Sequence, residues 1–339
     1  MAEIAKRAGV SLSTVSYALS GKRAISDETR RRVLLAVDEL GFRPHPAGRA
    51  LASKRSRILA LVLPAPPNGF SEVHLAFVAS ATDAARRCGY AMLLWSFADE
   101  AELVDLTRER LAEGAILMEV RLDDPRVALL RRHGYPFALI GHGRTNDGLD
   151  FVDLDFAKAA RLAVAHLAVL GHRTVALLGT SARSVAAAYG PMVRATEGFE
   201  HAITELGLRG VVRPCEPSAR EGRAAIADLL ANDPAPTAVI SLNQQTLGGL
   251  IQGVHDHGLG VPDEVSLVAI CATADWAERA SPAWTAVDVP AAEMGRIGAE
   301  LLIRRLEGGA EEPSQRLLRP VLVARQTSGP CVEVASPRR

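Results

Sequence analysis

Apolar and polar positions at the start of the chain alternate with the period of a helix. Ile4, Ala5 and Ala8 share one face of a segment over residues 2–8, and Gly9 ends it as a residue that tolerates positive φ. Ser11 is a good N-cap for a second helix over residues 12–19. That helix turns Val15, Ala18 and Leu19 inward and leaves Ser13, Ser16 and Tyr17 as an opposite polar stripe. After a turn over residues 20–23, Ser26 caps a third helix over residues 27–40. Its Val33, Val37 and Leu40 return an apolar face to the same small core, and Gly41 stops it. Three short helices with a tight Gly9-Val10-Ser11 turn between the first two make a helix-turn-helix unit, whose second helix can enter a major groove.

From residue 58 the pattern changes. Aliphatic runs at residues 59–63, 91–95, 115–118, 137–140, 175–178, 211–213, 238–242 and 266–270 alternate with amphipathic segments. Strands that are apolar on both faces and separated by helices predict parallel sheets covered on both sides. The series breaks near residues 152–155, after a loop over residues 143–148, which predicts two consecutive doubly wound α/β subdomains. Open parallel sheets bind ligands beyond the carboxyl ends of their strands, so two facing subdomains predict a pocket in the cleft between them. The expected division is an all-α headpiece over residues 1–44, a hinge and linker over 45–57, the α/β core over 58–329 and a tail over 330–339.

A chain of 339 residues, 48% of them apolar, fits a soluble protein of two or three domains. Its formal net charge is zero but unevenly spread: residues 1–57 hold 12 Lys and Arg against 5 Asp and Glu, leaving 27 against 34 for the remainder. A compact basic segment attracts polyphosphate, although a merely solvated basic surface gives the same count. Cys88, Cys215, Cys271 and Cys331 show no close pair and no metal-type spacing, so no metal, cofactor or disulfide framework is expected. There is no apolar signal core at the start and no aliphatic run near the roughly 18 residues a membrane span needs. The expectation is a cytoplasmic protein without a membrane partner.

Residues 42–54 are basic, and too short and glycine-containing to form a stable isolated helix. This stretch follows AEIAKRAGVSLSTVSYALSGKRAISDETRRRVLLAVDELGFRP and contains the start of the hinge-like GRALASKRS. Further along come VDLDFAKAARLAVAHLAVLGHRTVALLG, Gly198-Phe199, an N-x-x-x-L-G run at residues 243–248, VPDEVSLVAI and EMGRIGAELL. With these motifs the chain resembles the lactose-repressor (LacI/GalR-type) family of transcription regulators over about residues 2–328. The resemblance implies a sequence-specific DNA-binding repressor. It would bind a palindromic operator as a homodimer, with affinity controlled by a small-molecule effector, a sugar or related metabolite, in the core cleft.

The resemblance implies that Leu12, Ser13 and Tyr17 read base edges and that Ser11, Thr14 and Ser16 approach phosphates. Hydroxyls and a helix N-terminus suit phosphate, and a leucine can read only an apolar feature such as a thymine methyl. Leu12 could instead pack in the headpiece, and Tyr17 could instead support its helix. Tyr17 stands where arginine is common, so a bidentate guanine contact cannot be made there. In the hinge the resemblance places Arg49 and Leu51 on DNA, Leu51 as a wedge in the minor groove at the operator centre when two hinge helices pair. Pro46 suits the first turn of that helix, while His45 and Gly48 replace the usual asparagine and alanine and make it costlier to fold.

For the effector, Asn243 matches the family, whereas Gln244 replaces the usual aspartate and Cys271-Ala272 replace an acidic pair. Losing those acids weakens the expectation of a sugar, because carboxylates accept from sugar hydroxyls. Asp275 is the candidate replacement. Arg194 lies one position before the family's cleft arginine, where it serves either the pocket or a surface ion pair. Trp276 is either an aromatic wall or a packing residue. His74, Glu119 and Arg121 lie beyond strand ends of the first subdomain and are candidates for the near wall.

Two other function classes compete. An enzyme on a dinucleotide-binding fold needs a glycine-rich cradle after its first strand, and here the chain reads Pro64-Ala65-Pro66-Pro67-Asn68. No nucleophile elbow occurs either, so no catalytic residue is expected. A periplasmic-type solute-binding protein has the same two-lobed core, but it needs an export signal where this chain has a basic headpiece.

Overall fold

The computed structural model describes residues 1–20, 23–41, 55–65, 69–97, 102–109, 111–309 and 312–331. Its headpiece contains α1 (Ala2–Ala8), α2 (Leu12–Ser20) and α3 (Asp27–Glu39). Gly9 closes α1 at φ 63, a conformation that strains a side chain. Ser11 Oγ accepts the Thr14 N–H at 3.1 Å and Ser26 Oγ accepts the Thr29 N–H at 3.3 Å, so both following helices start on hydroxyl caps. The buried core is Ile4, Ala5, Ala8, Val15, Ala18, Val33 and Ala36. Leu40, expected there, is exposed: it caps the end of α3, and Ala36 one turn earlier fills the position. The Leu19 side chain lies outside the described residues.

The rest folds as two lobes, each on a six-stranded sheet. The first sheet comprises β1 (Ile58–Pro64), β2 (Ala91–Phe97), β3 (Gly114–Leu117), β4 (Phe137–Ile140), β5 (Phe151–Leu154) and β11 (Gln315–Leu318) in the order β11-β5-β4-β3-β1-β2. Helices α4 (Glu72–Arg87) and α13 (Ala291–Leu306) cover one face, and α5 (Glu102–Glu109) and α6 (Pro125–Arg132) the other. The second sheet comprises β6 (Thr174–Leu178), β7 (Arg209–Arg213), β8 (Ala238–Ser241), β9 (Ser266–Ala272), β10 (Thr285–Asp288) and β12 (Leu322–Val323) in the order β12-β10-β9-β8-β6-β7. It lies between α7 (Phe156–Val169) with α9 (Gly190–Glu205) and α10 (Ala219–Leu230) with α11 (Leu247–Asp256), and the short α8 (Ala182–Ala186) follows β6. Strands β1, β3, β4, β6, β8 and most of β9 are buried on both faces, as their unbroken aliphatic runs require.

The expected break at residues 152–155 is corrected in one respect: the lobes are not consecutive in sequence. Strand β5 completes the first sheet, and α13 and β11 return to that sheet after β10. The chain therefore crosses between lobes three times, at residues 154–156, 288–291 and 318–322. Asp150, fully buried, secures the return by holding Arg304 at 3.2 Å, Arg305 at 2.5 Å and the Ser314 N–H at 2.7 Å. Strand β12 pairs antiparallel with β10, an edge exception to the expected parallel sheets. In each sheet the strand order reverses once, between β1 and β3 and between β6 and β8. Loops leaving the sheet on opposite sides of such a switch open a crevice.

Tight helix packing explains two sequence motifs. A Cβ on Gly198 would collide with the backbone of Ala157, so this glycine sets the approach of α9 to α7. In the N-x-x-x-L-G run Gly248 has open space, and it is the next residue, Gly249, whose Cβ would collide with the Ala219 carbonyl. Among the described residues no helix is long and apolar enough to cross a membrane.

Candidate functional site

Two surfaces carry unusual side chains. The first is the start of α2. Leu12 is 55% exposed, so headpiece packing does not account for it, and Ser11 and Ser13 beside it are exposed as well. Ser11 Oγ lies 2.8 Å from both Ser13 Oγ and Thr14 Oγ1, which gathers three hydroxyls at the helix N-terminus. Ser16 and Tyr17 are half-buried, and the Arg23 guanidinium lies 5.9 Å from the Tyr17 ring centroid. Arg49 and Leu51 lie outside the described residues.

The second surface is a cavity of about 860 Å³ between the lobes, within the size range of small-molecule sites. Its walls are the loops that the two switch points open: residues 64–65 after β1, 118–121 after β3, 180–184 after β6 and 242–245 after β8. On the first-lobe side, Ser71 N–H donates to His74 Nδ1 at 3.2 Å, so the ring hydrogen sits on Nε2 and points to Glu119 Oε1 at 3.3 Å. Beside Glu119, burial first, then the nearby Glu119 and Asp153 charges, raise the Tyr189 phenol well above its ordinary pKa. Glu119 itself sits at φ 54, a strained backbone for a glutamate, which fits a residue held for what its side chain does.

Asp153 also lines the cavity. It is 1% exposed, with His142 Nδ1 at 2.7 Å and Arg194 Nη1 at 3.9 Å. On the second-lobe side Asn243 Oδ1 accepts the Gln245 N–H at 3.0 Å, and Gln244 Oε1 reaches across the cleft to the Val73 N–H at 3.4 Å. Apolar surface from Phe77, Phe156, Met192, Ile270 and Met294 fills the space between these polar groups. The lobes also touch through the backbone: Leu122 N–H donates to Ala188 O at 2.9 Å and Gly190 N–H to Val120 O at 3.0 Å.

Of the residues expected at the effector site, the fold brings His74, Glu119, Arg121 and Asn243 to the cavity wall. Three others stand elsewhere. Arg194 lies behind Asp153 and donates to the His142 and Gly143 carbonyls at 2.8 and 3.1 Å, so it joins the lobes without lining the cavity. Asp275 is a surface residue, 73% exposed and paired with Arg279 one helical turn away. Trp276 packs on the second-lobe core with its ring centroid 6.4 Å from that of Trp284. The short helix α12 (Ala274–Arg279) turns both away from the cavity.

Sequence reasoning missed Asp153, Tyr189 and Thr180 as wall residues, and it named Gln244 only as a departure from the family pattern. A carboxylate within the buried four-residue strand β5 was a usable signal for Asp153; Tyr189 gave none. Among the described residues no group of His, Cys, Asp or Glu is placed to hold a metal ion.

Comparison with known proteins finds matches for the headpiece and for the core. Residues 1–45 match the family described as bacterial regulatory proteins, lacI family, and residues 164–328 match a periplasmic binding protein-like domain. The chain is 28% identical to the HTH-type transcriptional regulator DegA of Bacillus subtilis (strain 168), over 97% of this chain and 97% of that protein. Among solved structures it is similar to a transcriptional regulator CelR–cellobiose complex, with TM-score 0.70, 26% identity, and 96% and 98% of the two chains covered. It shares its fold with the lac repressor dimer bound to operator and the anti-inducer ONPF, with TM-score 0.82, 23% identity, and 96% and 98% covered.

Proposed function

Because the chain belongs to the LacI family of DNA-binding transcription regulators, we propose that it is a repressor whose homodimer binds a palindromic operator and whose operator affinity is set by a small molecule in the cleft. It is a regulator and not an enzyme, as its relatives are. One observation carries the reading: the same chain holds an exposed, hydroxyl-flanked Leu12 at a recognition-helix start and a cavity walled by two lobes that it crosses three times. A molecule bound between the lobes biases their relative position and so can bias what they present to DNA.

On DNA, Leu12, Ser13 and Tyr17 read base edges while Ser11, Thr14, Ser16 and Arg49 meet phosphates and Leu51 wedges at the operator centre. One recognition helix reads a half-site, so a symmetric operator calls for two chains. The lac repressor, which shares this fold, has been solved as a dimer bound to operator. In the cleft His74, Glu119, Arg121, Asp153 and Asn243 contact a polar metabolite, a class that includes the cellobiose bound by the CelR relative.

The test is linkage. An operator found by binding-site selection is titrated with and without each candidate metabolite, and the metabolite with and without operator. An effector must change operator affinity by the factor by which operator changes its own affinity. Equal metabolite affinity in both conditions would remove the regulatory role of the cleft.

A further inference from the structure

We infer that the effector carries a carboxylate, as a sugar acid does, and that the second-lobe residues Asn243, Gln244 and Thr180 hold it. This rests on the reading that the cleft is an effector site. Both amide oxygens at this wall are already committed to backbone donors: Asn243 Oδ1 to the Gln245 N–H at 3.0 Å and Gln244 Oε1 to the Val73 N–H at 3.4 Å. A backbone N–H can only donate, so each amide is oriented with its NH₂ left for another partner. Gln244 Nε2 and Thr180 Oγ1 are both shielded from solvent and have no hydrogen-bond partner among the described residues. All three residues line the cavity at the second-lobe switch point, where strand order reverses between β6 and β8.

The neighbouring strand end supplies no anionic acceptor. Ile270 and Cys271 line the cavity there, and burial pushes the Cys271 thiol up, so it stays neutral. The unpartnered groups at this wall are therefore an amide donor and a hydroxyl, where a carboxylate-lined wall would offer only acceptors. A neutral polyol gives each donor at most a weak hydroxyl acceptor, whereas a carboxylate accepts from several donors at once through charge-assisted bonds. The opposite side carries the acidic acceptors, with Arg121 beside them. Glu119 and Asp153 keep lone pairs beyond the bonds they already make and can take hydroxyls from the rest of the ligand. At the rim Glu216 and Arg183, both exposed, carry opposite charges, so the entrance does not exclude an anion.

The experiment uses the full chain, isothermal calorimetry and matched pairs: D-glucose with D-gluconate, D-galactose with D-galacturonate, and cellobiose with cellobionate. Operator anisotropy is followed in parallel. In at least one pair the acid should bind tenfold or more tightly than its neutral partner. Gln244→Asp, which places a carboxylate at the donor, and Gln244→Met, which keeps bulk without the donor, should each cost that acid at least tenfold. Unliganded melting of both variants confirms that they fold.

A neutral sugar that binds better than its acid and shifts operator affinity overturns the carboxylate and leaves the effector cleft standing. An acid whose affinity survives both substitutions overturns the assignment to Gln244. Failure of every compound both to bind and to shift operator affinity counts against the carboxylate and the effector reading together.

Discussion

The headpiece and the cleft position their functional side chains by opposite means. In the headpiece Ser11 to Tyr17 come from one short helix and its cap, on a core of seven buried residues among those described. In the cleft the wall residues come from strand ends and helices as far apart in the chain as Pro64 and Met294, on lobes with far larger cores. The difference teaches where each function is fragile. A site on one helix depends on that helix folding, and a site between lobes depends on groups that meet only after the whole chain has crossed and returned.

The strongest way to break the comparison is to test whether the two regions are energetically separate. Ile4 is 1% exposed in the headpiece core, and Ile4→Ala should cost about 2–5 kcal/mol, most of what so small a unit has. Operator affinity should fall with the folded fraction of the headpiece, so the loss sets in once the cost exceeds the unit's own stability and grows about tenfold per headpiece for each further 1.4 kcal/mol. Calorimetric melting of the lobes should be unchanged, and a lobe transition that moves with the headpiece would merge the two regions.

Next in size is Leu51→Ala. It should lower specific operator affinity by roughly tenfold or more and leave non-specific binding nearly as it was, because the latter rests on Lys and Arg contacts to phosphate. Equal losses on both DNAs, measured at fixed salt, would end the wedge proposal.

Within α2, Tyr17→Ala should change which base is preferred at one half-site position, a discrimination of about 1–3 kcal/mol. Ser16→Ala and Thr14→Ala should instead weaken all sequences alike. Binding-site selection reads both, and an unchanged consensus with the tyrosine variant would remove Tyr17 from base reading.

The smallest effect concerns pH and should appear in the lobes alone. Burial lowers the pKa of His172, whose Nδ1 lies 2.9 Å from Thr237 Oγ1 and Nε2 3.2 Å from the Gly329 carbonyl; burial lowers that of His166 too. A histidine depressed in the folded state binds fewer protons than in the unfolded chain. Its stabilisation is therefore present above the unfolded value of about 6.5 and is lost as pH falls below it. Lobe melting should drop between about pH 7 and pH 5.5, and His172→Asn should flatten that slope. Residues 1–44 contain no histidine, so a similar slope in the headpiece transition would count against the assignment.

Much of this was legible in the chain. The three headpiece helices, their caps at Ser11 and Ser26 and eight of the strands follow the apolar runs closely, because a helix face or a doubly buried strand is written in neighbouring residues. Glu119, Arg121 and Asn243 were readable because residues just past strand ends face the crevice of a parallel sheet, while His74 reaches the same wall from the first turn of α4. The short outer strands were harder. Strands β11 and β12 have neither length nor an apolar run to announce them, and each exists because a neighbouring strand offers an open edge.

By itself the sequence determined the fold class, the headpiece with its recognition helix, and the place of the cleft, since each depends on spacing along a few consecutive turns or strands. Tertiary structure alone decided that β5 and α13 belong to the first lobe, that Arg194 lies behind Asp153, and that α12 keeps Asp275 and Trp276 out of the cavity. It also decided which cleft atoms have no partner among the described residues. An amide in a sequence is donor and acceptor alike, and only the Val73 N–H, arriving from the other lobe at 3.4 Å, commits the Gln244 oxygen and leaves the nitrogen without a partner.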